Sequence, residues 1–255
     1  MGLETGALAL SIATAIAAGL IGCFAVMRRM ALAADALSHV ALPGIGVALA
    51  LGIHPLAGAG AMLFFGTLLV WALENRTRIA AETIIGVVFS AALAIGSLMS
   101  SGEDLLEALF GGPGRLTIAE SIFGILAAAS VVLFVLKKRS SLILCLVSPE
   151  VARAAGIRVA RLNLIYLEVF ALTVALGLRY LGILLMGSLI IIPAATAKRL
   201  ARSLSGMLLS AVLVAVLSTA LGTYAATVFR RPAGPMTITV ASGFFLLSLL
   251  RRRAA

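Results

Sequence analysis

An all-α, polytopic transmembrane helix bundle of about nine spans is the fold class this sequence predicts, and three observations predict it. Of its 255 residues, 62% are hydrophobic and only 12% charged, with a mean hydropathy of +1.17; soluble domains carry about 25% charged residues. Apolar runs long enough to cross a bilayer recur along the whole chain. Basic residues cluster in alternate connections between those runs, which is the pattern that sets membrane orientation. Residues 1–255 read as a single transmembrane domain with no room for a separate soluble one.

Taken in order, the apolar runs are 5–27, 30–52, 55–73, 82–101, 118–136, 163–179, 181–197, 206–229 and 236–250. The first is expected to be a retained span, because MGLETG lacks the basic start of a cleaved signal. The runs 163–179 and 181–197 are short and nearly touch, so they form either two spans or one broken element, leaving eight crossings as the alternative. Arg28, Arg29, Arg76, Arg78, Lys137, Lys138, Arg139, Arg153, Arg158, Arg161, Lys198, Arg199, Arg202 and Arg251 to Arg253 place sixteen of the 20 basic residues on one side. The N-terminus is therefore expected outside and the C-terminus inside. A net charge of +10 placed this way speaks of topology and membrane lipid, with no nucleic-acid partner. Cys23 and Cys145 imply no disulfide framework, and Cys23 reads as a small core residue.

The second run carries the chemistry. RRMALAADALSHVALPGIGVALALG (Arg28 to Gly52) places Asp35 and His39 four residues apart, on one helix face. At a rise of about 1.5 Å per residue they sit roughly 10 and 16 Å inside a hydrocarbon core about 30 Å thick. Ionisable groups at that depth mark function by default. Pro43 kinks the helix and frees the carbonyl four residues earlier, that of His39 itself. Carboxylate, imidazole and carbonyl outline a site for borderline divalent ions. Two side chains are too few for a tetrahedral site; two copies of the chain meeting here would supply four. Ala33, Ala36, Gly44 and Gly46 allow helices to approach closely around it.

Other polar residues carry two readings each. Glu168 either releases an ion inward or pairs with Arg161 or a lysine at the interface. His54, before Pro55, is either a surface residue or an entry ligand. Pro193 either marks a gating kink or shapes the bundle. The connection 102–117, with Glu103, Asp104 and Glu107, is either a solvated loop or an attracting vestibule. In the connection 139–163, Ser148, Pro149 and Glu150 spell a capped helix start, and Gly156 its end. That short helix either docks a cytoplasmic partner or lies on the membrane surface. No GxxxxGK[ST] phosphate loop occurs, so the chain does not hydrolyse ATP itself, and no HExxH or convincing nucleophile marks an intramembrane enzyme.

RRMALAADALSHVALPGIGVAL, SPEVARAAGI, LGILLMGSLIIIPAATA and RPAGP, in this order from Arg28 to Pro235, resemble the membrane permease of bacterial ABC importers for zinc, manganese or iron. The resemblance implies a homodimer in the bacterial cytoplasmic membrane, two cytoplasmic ATPase subunits and an extracytoplasmic metal-binding protein. It implies that Asp35 and His39 line the metal pathway. It implies that the segment 149–158, with Pro149, Glu150, Ala154, Ala155 and Gly156, docks on the ATPase. The metal ion is then transported substrate, and no permanently bound cofactor is expected. Two positions depart from the family pattern. Ala34 replaces a frequent glycine, and Arg231 stands where relatives often carry aspartate in an outer turn. A secondary transporter moving protons through Asp35, His39 and Glu168 is the alternative, although inverted repeats are not seen in the sequence.

Overall fold

The computed structural model describes residues 2–77, 79–99, 117–181 and 183–250. Helices account for nearly all of them: α1 (Gly2–Met27), α2 (Ala31–His39), α3 (Ala41–Ala50), α4 (Pro55–Arg76), α5 (Ala81–Met99) and α6 (Ile118–Val147). They are followed by α7 (Pro149–Ala154), α8 (Val159–Leu181), α9 (Ile183–Leu200), α10 (Leu204–Phe229) and α11 (Ala233–Leu250). Among the described residues, eight segments are long and apolar enough to cross a membrane, with α2 and α3 counted as one. Helix α9 is a further 18-residue helix. The acidic connection 102–116 lies outside the described residues.

Burial sorts the spans into an inside and an outside. The α1 span is 67% buried and the α2–α3 span 72%, against 22–39% for the other six. The α2–α3 span is also the least hydrophobic of the eight, which is tolerable because protein surrounds it where lipid would reject it. Helices α1 and α9 complete the centre, each packed on α10 and on the other, with α2 against α9. The periphery shows large apolar side chains such as Phe123, Leu126, Leu209 and Leu213, as a lipid-facing surface must.

Two boundaries depart most from the hydropathy reading, the end of α6 and the start of α8. Helix α6 runs through Lys137, Lys138 and Arg139 and stops only at Ser148, so the following connection is 148–158 and not 139–163. Thr117 and Glu120 start that helix as a capping box, with the Thr117 N–H donating to Glu120 Oε2 at 2.7 Å. Helix α8 begins at Val159, before the apolar run, and α9 follows it as a distinct helix. Gly177 and Met186 are in direct contact, so α8 and α9 approach closely at that point; a Cβ at 177 would collide with the methionine sulfur.

Helix α7 forms as its local sequence dictates. Ser148 Oγ accepts from the Val151 N–H at 3.3 Å, and Pro149 takes the first helical position. Gly156, at φ 78°, closes the helix with its N–H on the Arg153 carbonyl and the Ile157 N–H on that of Ala152. Ala152 is buried, while Val151, Ala154 and Ala155 face outward.

Candidate functional site

The span bearing Asp35 and His39 is broken at Val40, one residue after the histidine. Pro43 explains the position. It falls in the first turn of α3, where a missing N–H costs nothing, and it cannot accept a continuous helix through the preceding turn. The Val40 N–H reaches back only three residues, to the Leu37 carbonyl at 3.1 Å, which tightens the end of α2. Pro193 behaves differently: α9 runs through it unbroken from Ile183 to Leu200.

Asp35 and His39 share the open face of α2. Ala33, Ala34, Leu37 and Ser38 are buried, whereas Leu32, Asp35, Ala36 and His39 remain accessible at i, i+3, i+4 and i+7. They form one stripe along an otherwise enclosed helix. Asp35 is close enough for its charge to act on the imidazole. The His39 ring meets Phe89 of α5 edge to face, with centroids 5.4 Å apart. Its Nδ1 is buried and has no hydrogen-bond partner among the described residues. An unpaired polar atom at that depth costs free energy unless a ligand completes it.

Close helix packing fixes where the pair stands. Gly187 of α9 lies against the backbone of Asp35: a Cβ there would be 2.7 Å from the Asp35 Cα. Gly44 of α3 and Gly58 of α4 bring their backbones into contact. The local sequence pattern does not mark Gly187 as a site residue. Its signal was a glycine in a helix interior, where it is disfavoured by about 1 kcal/mol relative to alanine unless something needs the space.

The remaining candidates separate from this pair. His54 is exposed and caps α4, its Nδ1 accepting from the Leu56 N–H at 3.3 Å. Glu168 does not pair with Arg161. It lies beside Thr67 of α4, and its buried Oε2 has no hydrogen-bond partner among the described residues. Among the described residues, no three His, Cys, Asp or Glu side chains come together as a metal cluster, so one chain offers two of the donors a divalent ion needs.

At one end of the bundle a cavity of about 1220 Å³ is lined by Arg28, Arg29, Trp71, Glu74, Glu82, Pro149, Arg153, Arg158, Arg161 and Asn163, among others. Basic residues from separate connections thus converge on the end where α7 sits.

The model of the ABC 3 transport family matches residues 3–252. The chain is 32% identical to the high-affinity zinc uptake system membrane protein ZnuB of Haemophilus influenzae, over 91% of each chain. It is 30% identical to the manganese transport system membrane protein MntC of Listeria monocytogenes, over 96% of this chain and 89% of that one. Identity to the chelated iron transport system membrane protein YfeD of Yersinia pestis is 31%, over 96% and 84%. Among solved structures, PsaBC from Streptococcus pneumoniae in complex with Fab superposes with a TM-score of 0.84 at 26% identity, covering 98% of this chain and 91% of that chain. The fold is thus that of a multi-pass membrane permease, and the chain belongs to the ABC 3 transport family.

Proposed function

We propose that this chain is the membrane-spanning permease of an ATP-driven importer of divalent transition-metal ions, with Asp35 and His39 as its metal ligands. The observation that carries the reading is the accessible stripe of α2, which presents a carboxylate and an imidazole together inside the most buried span. Two copies related by symmetry would contribute two aspartates and two histidines, a mixed N/O set suited to zinc, manganese or iron. A site assembled from two incomplete halves also opens when the halves separate, which a transporter needs in order to release what it binds. The three relatives' names span zinc, manganese and chelated iron, and this donor set suits all three metals alike.

The convergence of basic residues on the α7 end supports placing that end in the cytoplasm. With that end inside, α7 would meet the ATPase subunit, and an extracytoplasmic binding protein would deliver metal at the opposite end. Family membership favours ATP over a proton gradient as the driving force. In liposomes holding the permease dimer, the ATPase and the binding protein, metal uptake is expected to require ATP and to survive a protonophore. Uptake that persists without ATP and collapses with the proton gradient would establish the secondary-transporter alternative.

Docking through α7 has its own test. Ala154 and Ala155 are small and exposed beside Val151, so glutamate at both would force two charges into an apolar contact. Uptake is expected to fall by about tenfold or more, while the dimer still assembles and inserts. Unchanged uptake with unchanged stimulation of ATP hydrolysis by the binding protein would remove α7 from the interface.

A further inference from the structure

We propose that Arg28, Asn163 and Glu74 form a latch that carries motion of the 149–158 segment to the helix holding Asp35 and His39, with Asn163 as its positioning residue. The proposal rests on the permease reading above. Its geometry lies at the corner between α1 and α2. Arg29 turns that corner in the left-handed region, at φ 61°, and the Met30 N–H closes it on the Ala25 carbonyl at 2.9 Å. A non-glycine residue is unfavourable in that conformation, so the corner is held by its surroundings. α2 starts two residues later. Displacing Arg28 therefore displaces the start of the site helix, and Asp35 lies only about one turn into that helix.

Asn163 is what holds Arg28. The guanidinium donates to Asn163 Oδ1 and lies over the Tyr166 ring, with Cζ 4.3 Å from the centroid. The ring is fully buried, and its hydroxyl donates to the Ile21 carbonyl at 3.4 Å. On its other side Asn163 Nδ2 donates to Glu74 Oε2 at 2.8 Å. One turn along α4, Trp71 Nε1 donates to the Ala160 carbonyl, also at 2.8 Å. The start of α8 is thereby tied to the α1–α2 corner and to α4 at once.

The docking segment reaches the same residues by two routes. Gly156 to Arg158 lead directly into α8 at Val159, one turn before Asn163. Pro149, Arg153, Ile157 and Arg158 also line the cavity that Arg28, Glu74 and Asn163 face. The bridge between cation and carboxylate is a neutral amide, and both of its hydrogen bonds can be exchanged for water from that cavity. A permanent brace would be better served by a direct ion pair excluded from water. The amide makes the tie breakable, and both ends depend on one side chain.

The test uses the complete transporter in liposomes, reading metal ions imported per ATP hydrolysed together with the yield of assembled complex. Asn163→Leu keeps the size of the side chain and removes the amide. Stimulated hydrolysis and assembly should stay within about twofold while ions per ATP fall roughly tenfold, within the range by which residues between coupled sites alter coupling. Glu74→Gln keeps an acceptor for Asn163 and should remain coupled, whereas Glu74→Leu should behave as Asn163→Leu does. Should Asn163→Leu fail to assemble, the Glu74 pair decides. An unchanged ratio in both leucine variants overturns the latch. So does a parallel loss of assembly, hydrolysis and uptake, which would make the network a structural brace. Asp35→Ala, measured alongside, keeps the two readings apart: normal uptake there removes the metal site, whereas an inactive Asp35→Ala with a fully coupled Asn163→Leu removes only the latch.

Discussion

Alanine in place of Asp35 or of His39 is expected to abolish metal uptake while leaving the protein inserted and dimeric. Neither side chain is needed for spanning, and removing a charge from inside the bilayer eases insertion. Among the described residues, neither forms a hydrogen bond that holds a neighbouring helix: His39 Nδ1 is unpartnered, and its ring contact is the edge of Phe89. Loss of a ligand should exceed the roughly 10- to 100-fold that losing only a ligand's hydrogen-bond partner costs in metal affinity. His39→Ala should harm zinc more than manganese, because manganese accepts an oxygen-rich set more readily. Uptake of radiolabelled zinc and manganese, beside the yield of detergent-solubilised dimer, separates the two roles. Normal uptake in either variant would take that residue out of the pathway. Disappearance of the dimer would make the pair glue between helices.

What the sequence makes legible here is what local rules control. The span with Asp35 and His39 breaks beside the histidine because Pro43 acts on its own preceding turn. Helix α7 starts and stops at Ser148 and Gly156 because capping and left-handed glycine are properties of a few adjacent residues. Hydropathy fails where it is asked to end a helix. The basic residues 137–139 leave the apolar run, yet the backbone keeps its hydrogen bonds until Ser148 supplies a cap. Long-range partnerships are the other gap. Glu168 finds Thr67 on another helix in place of Arg161 two turns away on its own. Arg28, Glu74 and Asn163 are brought together from the α1–α2 corner and two different helices. Nothing in the local pattern of any one of these residues names its partner.

The contact between Gly187 and Asp35 is of that second kind, and it sets the other large expected effect. A Cβ at 187 would stand 2.7 Å from the Asp35 Cα and 2.9 Å from its N, both backbone atoms that no rotamer change can move aside. Alanine must therefore push α9 and α2 apart, and valine must push them further. Overpacking of this kind typically costs about 1–3 kcal/mol, which a buried bundle can survive. The site cannot absorb the displacement so easily, because a ligand constellation works only within about 0.5 Å of its productive geometry. Gly187→Ala should reduce uptake, and Gly187→Val should bring it close to that of Asp35→Ala, with metal affinity of the purified protein weakened in step. Gly60→Val is the matched control: it adds the same side chain to a helix glycine with no atom of the described residues within 4 Å of its Cβ position, and uptake there should be near that of the unaltered protein. Equal uptake in the two valine variants, at equal levels of folded protein, would show that the approach of α9 to Asp35 plays no part in shaping the site.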